Sequence, residues 1–365
     1  MNYTKLLPCL LAGFMVLTIA SCKKDKADSG DEPEALMPKE TIGVYMLCEG
    51  TMNNNNSTIS YYDIKTKATE KDYFKKVNGY ALGETANDLQ RYGSKMYCVV
   101  SGMQEKKNSY LEVIDIATGK SLKRIPFFDA TSEFMPRFVA FNKNKAYVSG
   151  YDGKITRIDT ATLAIDSRVA VGGALEGLAV VNNKLYVTNS DHPIHPDGKK
   201  NVVSVVDLST LTKIKDVEVI YNPVRIAVAG NGDLLVISWG NYGDIAAGIT
   251  RISSTANEVT GNYEHNAGAL AIGGNTAYLS LDWGVSLKPF DIGTGILGKS
   301  FITDDTMIVG AYGLTVNPVG NEVYVADGNN YGDEGKAYCF GADGKKKFEF
   351  PTGPLPQHAV FKYGY

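Results

Sequence analysis

Four polar segments lie between apolar stretches and hold most of the side chains suited to ligand binding. The segments are residues 190–200, 238–244, 281–285 and 327–334. Their aromatic and imidazole side chains include both tryptophans of the protein and are His192, Trp239, Tyr242, Trp283 and Tyr331. Trp and Tyr offer a flat apolar face with one polar atom, which suits a large ring or a sugar face. The alternative is that each ring merely caps the end of a neighbouring sheet.

A second group of polar residues occurs directly before a series of predicted strands. The candidate binding residues in this group are Asn87, Arg137, Arg225, Tyr312 and His358. If these strands converge on one axis, their amide, guanidinium, phenol and imidazole groups form a ring that can satisfy many hydrogen-bonding groups of a ligand. Tyr151 completes the set of candidates. The competing interpretation is that these groups pair with one another and with water.

Signals for catalysis and for a metal are weak. His192 and His195 have a spacing that metal ligands use, but a proline follows each and no third ligand is apparent. The chain contains neither a Gly-x-Ser-x-Gly nucleophile motif nor a glycine-rich phosphate loop before a helix. With four histidines, acid–base chemistry would rely on carboxylates, and no pair stands out. We expect a binding protein without catalytic residues, metal or cofactor.

The elements that must position these residues repeat along the chain. In Lys184–Val219, apolar and β-branched residues alternate with polar ones, and Asn, Asp, Gly and Ser fall at the breaks, which predicts three short strands. The preceding residues add a fourth strand. One position of this unit recurs every 39 to 52 residues, at Tyr45, Tyr97, Tyr147, Tyr186, Leu235, Tyr278 and Tyr324. Four strands in about 45 residues are typical of a propeller blade, so we predict an all-β protein with seven blades.

The two ends of the repeat predict that the propeller is a closed ring. The first Tyr strand, Ile42–Cys48, has no innermost strand before it, and the last innermost strand, Gln357–Lys362, has no Tyr strand after it. The C-terminal strand is therefore expected to join the first blade, which leaves only short sheet edges exposed. One propeller spanning residues 42–365 then accounts for nearly all of the chain.

Loop length distinguishes the two faces of the predicted propeller. The loops that precede innermost strands and those that join second to third strands share one face, here named the near face. They are long and contain the four polar segments, whereas turns of the opposite face, such as residues 182–184 and 273–275, are short. Long, uneven loops on a rigid scaffold are where binding usually occurs. We therefore expect the ligand site on the near face.

Charge and the N-terminal residues bear on location and partners. Lys and Arg total 37 against 40 Asp and Glu, so no basic surface indicates nucleic-acid binding.

Residues 1–21 have a basic start, an apolar run and a Cys at the following position, Cys22, as in a bacterial lipoprotein signal. We expect cleavage before Cys22, lipid attachment there, and a charged flexible tether over residues 22–41. An ordinary secretory signal is the alternative.

The segments Leu185–Asn189 and Val203–Thr210 resemble the Tyr-Val-Thr-Asn repeats of YncE-like propellers, over residues 42–363. With the lipoprotein signal, the acidic tether and the Trp- and Tyr-rich loops, the chain resembles the BtuG-type cobalamin-binding surface lipoproteins of Bacteroidetes. This resemblance implies a monomeric, lipid-anchored outer-membrane protein at the cell surface. It would bind corrinoids and pass them to a TonB-dependent transporter. The alternatives are a glycan-binding lipoprotein of a polysaccharide uptake system and a propeller lactonase or lyase.

Overall fold

Seven antiparallel sheets of four strands each make up most of the computed structural model, which describes residues 37–332 and 334–365. The strands of the first half are β1 (Glu40–Cys48), β2 (Thr58–Asp63), β3 (Thr69–Glu70), β4 (Ala86–Tyr92), β5 (Lys95–Val100), β6 (Tyr110–Asp115), β7 (Ser121–Pro126), β8 (Pro136–Asn142), β9 (Lys145–Gly150), β10 (Lys154–Asp159), β11 (Ala164–Ala170), β12 (Ala174–Val181), β13 (Lys184–Ser190) and β14 (Val202–Asp207). Those of the second half are β15 (Thr212–Glu218), β16 (Pro223–Val228), β17 (Leu234–Ser238), β18 (Gly248–Ser253), β19 (Glu258–Tyr263), β20 (Ala267–Gly273), β21 (Thr276–Leu281), β22 (Ser286–Asp291), β23 (Ile296–Leu297), β24 (Ala311–Asn317), β25 (Glu322–Asp327), β26 (Glu334–Phe340), β27 (Lys346–Pro354) and β28 (Pro356–Gly364).

The sheets form a seven-bladed propeller, which confirms the predicted fold. Blade 1 has the strand order β28-β1-β2-β3, and blades 2 to 7 each use four consecutive strands, from β4–β7 to β24–β27. The innermost strand of blade 1 is therefore the C-terminal strand, as the offset of the repeats predicts. Its ladder with β1 runs from Glu40 opposite Gly364 to Cys48 opposite Pro356.

The first strand begins earlier than expected. The sequence assigned residues 22–41 to the tether, but β1 starts at Glu40 because the ladder with β28 continues to Gly364. The Lys39 amide also donates to the Gly364 carbonyl at 2.9 Å. Residues 1–36, and with them the predicted signal and Cys22, lie outside the described residues. In the part of the chain that the structure describes, no helix is both long and apolar enough to cross a bilayer.

The repeated Tyr joins one blade to the next. Tyr45 and Tyr186 are fully buried in the second strands of blades 1 and 4. The Tyr45 hydroxyl donates to the Ile116 carbonyl at 2.8 Å, and that of Tyr186 donates to the Ser254 carbonyl at 3.0 Å, in each case in the following blade. A large ring with a polar tip therefore fills the space between blades and satisfies a backbone acceptor at its far end. Tyr97, at the same position of blade 2, is also fully buried, but its hydroxyl has no partner among the described residues, so the role these three tyrosines share is burial of the ring.

The hydrophobic core consists of clusters between adjacent blades. One such cluster combines Tyr45 and Leu47 of blade 1 with Leu89 and Met96 of blade 2, all fully buried. Burial of each such side chain contributes about 1.5–3 kcal/mol. One short helix, α1 (Tyr73–Asn78), follows β3, and a 3-10 turn at Asp282–Gly284 follows β21.

All seven innermost strands carry a β-bulge at the near-face end. The register shifts lie between Ala86 and Asp88, Pro136 and Val139, Leu175 and Leu178, Pro223 and Arg225, Ala267 and Ala269, Ala311 and Gly313, and, in blade 1, opposite Leu47 and Cys48. A bulge bends a strand and turns a side chain away from the regular alternation. The polar residues predicted before the innermost strands lie at or beside these bulges, so the same backbone irregularity positions all of them.

Candidate ligand-binding site

A network of paired polar groups occupies the near-face end of the channel in blades 2 to 4. The Arg137 guanidinium donates to Asn87 Oδ1 at 2.7 Å through Nη1 and to Glu176 Oε2 at 3.0 Å through Nε. The Tyr151 hydroxyl donates to the other oxygen of Glu176, and the guanidinium of Arg137 lies 4.7 Å from the centre of the Tyr151 ring. Ser101 joins the network through Asn87. We call Asn87, Ser101, Arg137, Tyr151 and Glu176 the paired network.

Burial and charge fix the protonation of this network. Burial raises the pKa of the Tyr151 phenol well above its ordinary value, and the neighbouring Glu176 raises it further. Burial alone would lower the pKa of Arg137, but the charge and hydrogen bond of Glu176, together with Tyr151 and Glu49, outweigh it and the net shift is upward. Tyr151 therefore remains a hydrogen-bond donor and Arg137 a cation. In this network the polar groups pair with one another, as the competing interpretation describes.

The two histidines of the 190–200 loop contact Tyr151 of the preceding blade. The His192 ring stacks on Tyr151 with centroids 4.2 Å apart, and His195 Nε2 lies 2.5 Å from the Tyr151 carbonyl oxygen. Burial lowers the pKa of His192 below its ordinary value, which favours the neutral ring in this stack. Among residues 37–332 and 334–365, no group of three or more His, Cys, Asp or Glu side chains is arranged to hold a metal ion.

The opposite side of the mouth, in blades 5 to 7, is an aromatic cavity of about 200 Å³. We use that name for the space lined chiefly by Arg225, Trp239, Tyr242, Gly268, Trp283, Tyr312 and Tyr331. Trp239 is half-buried against the core between blades 5 and 6, whereas Trp283 and Tyr242 are 70% and 72% exposed. Large aromatic side chains that remain this exposed do not stabilise the fold by burial, and they form a ready surface for a flat partner.

The backbone conformation around Trp283 keeps its side chain exposed. Asp282 and Trp283 both adopt left-handed backbone angles, with φ of 52° and 61°, which cost free energy in residues other than glycine. Gly284 follows at φ 92°, where a Cβ would lie 2.5 Å from the Ala311 nitrogen, so only glycine fits. The Tyr331 hydroxyl donates to the Trp283 carbonyl at 3.1 Å. Two blades therefore fix the backbone that carries the exposed indole.

The floor of the aromatic cavity is Tyr312, held by a residue from the start of the chain. Its hydroxyl donates to the Glu49 carboxylate, and its ring packs edge-on against Tyr331 with centroids 5.9 Å apart. Burial raises the pKa of Tyr312 far above its ordinary value, and Glu49 raises it further, so the phenol stays protonated. Tyr312 therefore presents a fixed ring to the cavity.

Arg225 lies where the aromatic cavity meets the central channel, which encloses a second cavity of about 310 Å³ that we call the channel cavity. The guanidinium lies 4.7 Å from the centre of the Phe138 ring. Asp88 and His358 line the same channel cavity. Burial lowers the pKa of His358 and raises that of Asp88, so low dielectric disfavours the charged form of both.

Residues 42–350 match the family described as Domain of unknown function (DUF5074). The chain belongs to the DUF5074 family. No curated protein matches it.

Two solved structures share the fold of this DUF5074 protein. A quinonprotein alcohol dehydrogenase-like protein from Bacteroides thetaiotaomicron VPI-5482 is 17% identical, with a TM-score of 0.67 over 88% of this chain and 78% of the other. Kuenenia stuttgartiensis hydrazine synthase is 14% identical, with a TM-score of 0.55 over 69% of this chain and 74% of the other. At these identities the likeness concerns the fold alone.

The structure divides the predicted site residues of the DUF5074 protein into three sets. The set around the aromatic cavity is Arg225, Trp239, Tyr242, Trp283, Tyr312 and Tyr331. The set lining the channel cavity is Asn87, Arg225, Tyr312 and His358. Arg137, Tyr151 and His192 lie in or against the paired network, where their polar or aromatic contacts are already made. Arg225 and Tyr312 belong to both cavities and connect them.

Sequence reasoning missed Glu49 and Asn266 and left Glu176 out of the candidates. Glu49 follows β1 and lies four residues after Tyr45, the same offset that separates Tyr147 from Tyr151 and Leu235 from Trp239. Applying that offset to every repeat would have found it. Asn266 immediately precedes β20 and lines the aromatic cavity, yet nothing in its sequence context distinguishes it from a turn residue.

Proposed function

We propose that this DUF5074 protein is a lipid-anchored, surface-exposed outer-membrane protein that binds cobalamin or a related corrinoid on its near face. It passes the ligand to a TonB-dependent transporter. The observation that carries the proposal is the aromatic cavity, which opens beside the channel mouth and is rimmed by the exposed rings of Trp283 and Tyr242. A corrinoid combines a flat macrocycle, many side-chain amides and an aromatic base, so it matches both the rings and the polar atoms at this mouth.

The preformed state of the site supports binding by a rigid surface. The phenol of Tyr312 and the carbonyl of Trp283 are fixed by partners from other blades, and Arg137 is fixed between Asn87 and Glu176. A site whose groups are already ordered loses little conformational entropy on binding and releases its ligand slowly. Both properties suit capture of a scarce nutrient.

The paired network favours binding over acid–base catalysis. Both oxygens of Glu176 accept hydrogen bonds from groups of the protein, and Arg137 is committed to the same network. A catalytic base needs a lone pair directed at a substrate proton. We therefore assign no catalytic residue to the protein and no resident cofactor or metal.

The proposed location and partners rest on the N-terminal sequence. Cleavage before Cys22 and acylation there would anchor the chain, and the charged residues up to Lys39 would separate the propeller from the membrane. The propeller would act as a monomer apart from its transporter, with no role in nucleic-acid binding.

Glycan binding is the second candidate, and the exposed rings support it as well. The side chains of Trp283 and Tyr242 can stack on sugar faces as readily as on a corrin ring. This alternative places the protein in a polysaccharide uptake system and uses the same near face.

The deciding experiment is calorimetric titration of the purified full chain in detergent with cyanocobalamin. One-to-one binding at or below about micromolar Kd is expected. The absence of heat at tens of micromolar protein would contradict corrinoid binding, and a panel of polysaccharides titrated in the same way then tests the glycan candidate. Gly268→Leu is the matched control that should not bind. A Cβ at this position meets no other atom within 4 Å, so the Leu side chain would extend into the aromatic cavity and fill it.

A further inference from the structure

The geometry points to an anion subsite at Arg225: this guanidinium binds a phosphate or carboxylate of the ligand while a flat group of the same ligand enters the aromatic cavity. The inference rests on the proposed function for the identity of the ligand. In cobalamin the matching part is the nucleotide loop, which carries a phosphodiester next to an aromatic base.

Arg225 differs from every other arginine of the chain. The arginines that donate hydrogen bonds to protein acceptors are Arg91, Arg124, Arg137, Arg157, Arg168 and Arg251. Within residues 37–332 and 334–365, Arg225 makes no such bond, and no carboxylate oxygen lies within 4.0 Å of it. It is half-buried, so its guanidinium is partly removed from water without a compensating acceptor. Such a group is costly unless something else supplies the acceptor.

The surroundings of Arg225 keep its guanidinium at the junction of the two cavities. Phe138 lies against its face at 4.7 Å, across the channel in blade 3. Gly177 of blade 4 packs on its backbone, since a Cβ there would lie 3.2 Å from the Arg225 Cα. Arg225 and Tyr312 line both cavities, and Trp239 lines the aromatic cavity beside them. A cation is thereby presented next to a set of flat apolar faces.

The nearby acidic groups do not neutralise Arg225 directly. Asp88 shares the channel cavity, but its oxygens accept from the Val139 amide at 3.0 Å and from Gln90 Nε2 at 2.9 Å. Glu49 accepts from the Tyr312 hydroxyl. The guanidinium therefore retains its full set of donors for an incoming oxyanion, which Arg can hold with two parallel hydrogen bonds.

The size of the aromatic cavity fits a single aromatic ring system. Its volume of about 200 Å³ exceeds the ~150 Å³ of an engineered cavity that holds benzene and is far too small for a whole corrin macrocycle. The macrocycle would then lie across the mouth, against the exposed Trp283 and Tyr242, while the base occupies the cavity and the phosphodiester meets Arg225. A neutral sugar offers hydroxyl oxygens but no anionic group for this cation.

The test compares two corrinoids on the full-length protein. Cyanocobalamin has the nucleotide loop, and dicyanocobinamide lacks both its phosphodiester and its base. We expect dicyanocobinamide to bind at least about tenfold more weakly. Replacing Arg225 with Gln should weaken cyanocobalamin binding by about tenfold or more and leave dicyanocobinamide binding unchanged. Arg251→Gln is the matched control, because Arg251 lies on β18 of the same blade and donates to Thr260 of that blade and to the Ile292 carbonyl of blade 6.

Equal affinities of the two corrinoids, or an equal loss for both in Arg225→Gln, would overturn the subsite while corrinoid binding itself stands. If neither corrinoid binds, the proposed function fails and a small probe decides the subsite. Phenyl phosphate combines one ring with one phosphate, and phenol lacks the phosphate. In an NMR titration, the Arg225 Nε–H resonance should shift saturably with phenyl phosphate and not with phenol if the subsite exists. An unchanged resonance overturns it.

Discussion

Two arginines beside the bulges of innermost strands have opposite surroundings. Arg137 is enclosed by Asn87 and Glu176, and its side chain is 17% exposed. Arg225 faces two cavities with no acceptor from the described residues. The first holds blades 2 to 4 together at the mouth, and the second is available to a ligand. Whether an arginine at this position is paired or open to a ligand therefore depends on the residues that adjacent blades place beside it.

Removing the Glu176 carboxylate should strongly destabilise the propeller. Glu176→Ala leaves the Arg137 cation and the Tyr151 hydroxyl without their shared acceptor, and breaking such a pair costs about 3–5 kcal/mol. The free energy of unfolding in urea measures the effect. Glu334→Ala is the control, because that carboxylate is 61% exposed and pairs with the surface Lys71, so its loss should cost less than about 1 kcal/mol. Equal losses in both variants would contradict the assigned role.

The exposed rings should matter for binding and little for stability. Trp283→Ala and Tyr242→Ala should each weaken cyanocobalamin binding about tenfold, because each removes a flat face from the rim. Their melting temperatures should stay within about 2 °C of the original protein, since both side chains are at least 70% exposed. Tyr365→Ala removes a half-exposed side chain whose hydroxyl accepts a hydrogen bond from Arg91; it serves as the control and should bind normally.

His358 should make the fold sensitive to acid. Burial lowers its folded-state pKa below the usual 6.5, although Asp88 acts in the opposite direction. Between the folded pKa and 6.5 the unfolded chain binds more protons, so stability falls as pH decreases through that window. The buried Asp88, whose folded pKa is raised, has the opposite sign: its contribution is lost as pH rises through that pKa.

Replacing His358 with Gln should therefore flatten the dependence of unfolding free energy on pH between about 7 and about 5. Some dependence should remain, because burial also lowers the pKa of His192. His265→Gln, in the loop between β19 and β20, provides the comparison. A slope as steep as in the original protein would count against the burial of a neutral His358.

At the scale of elements, the bulged ends of the innermost strands decide what the channel presents. Each bulge places one or two residues out of the regular alternation, and these include Asn87, Arg137 and Tyr312. In blade 6 the same position is Gly268, which leaves the aromatic cavity open. The shape of the mouth therefore follows from the size of the residue at each bulge.

The innermost strands of blades 7 and 1 approach so closely that Gly313 cannot accept a side chain. A Cβ at that position would lie 1.9 Å from the Gln357 carbonyl oxygen, so Gly313→Ala must push β24 and β28 apart. We expect a loss of about 1–3 kcal/mol in unfolding free energy, as for overpacking of a core. Gly268→Ala, in the neighbouring blade, meets nothing within 4 Å and should be nearly neutral. Comparable losses in the two variants would refute this account.

At the scale of the whole molecule, closure depends on one strand at the end of the chain. β28 supplies the innermost strand of blade 1 and contributes Val360 and Phe361 to the cores on its two sides. The ring therefore joins the first and last strands of the described chain. Without β28, β1 would be left as an unpaired inner edge.

Deleting Pro356–Tyr365 should abolish cooperative unfolding of the propeller or lower its melting temperature by at least about 10 °C. Circular dichroism during heating measures the change. A synthetic peptide of the deleted residues, added in trans, should restore part of the lost stability by pairing with β1, as in strand addition to an exposed edge. A truncated protein that melts like the original would disprove closure by this strand.

The fold was predictable because its signals are local and repeated. Alternation of apolar and polar residues depends only on strand geometry, and the Tyr at one position of six of the seven repeats marks the second strand of each of those blades. Closure was predictable because the first blade lacks an innermost strand and the C-terminal end of the chain has one innermost strand too many. Pairing the two completes the ring. The start of β1 was placed two residues late, at 42 and not 40, because the extension depends on pairing with Gly364.

The sequence by itself thus determined the seven blades, their closure and the face that carries the long loops, since each of these follows from periodicity and loop length. Only the tertiary structure decided which polar residues are paired and which are free. Arg137 and Arg225 look alike in sequence, but their neighbours come from other blades. Tyr312 and Glu49 are 263 residues apart and meet because the ring closes. Hydrogen bonding and charge compensation depend on distances of a few ångströms between such segments, and these distances exist only in the folded ring.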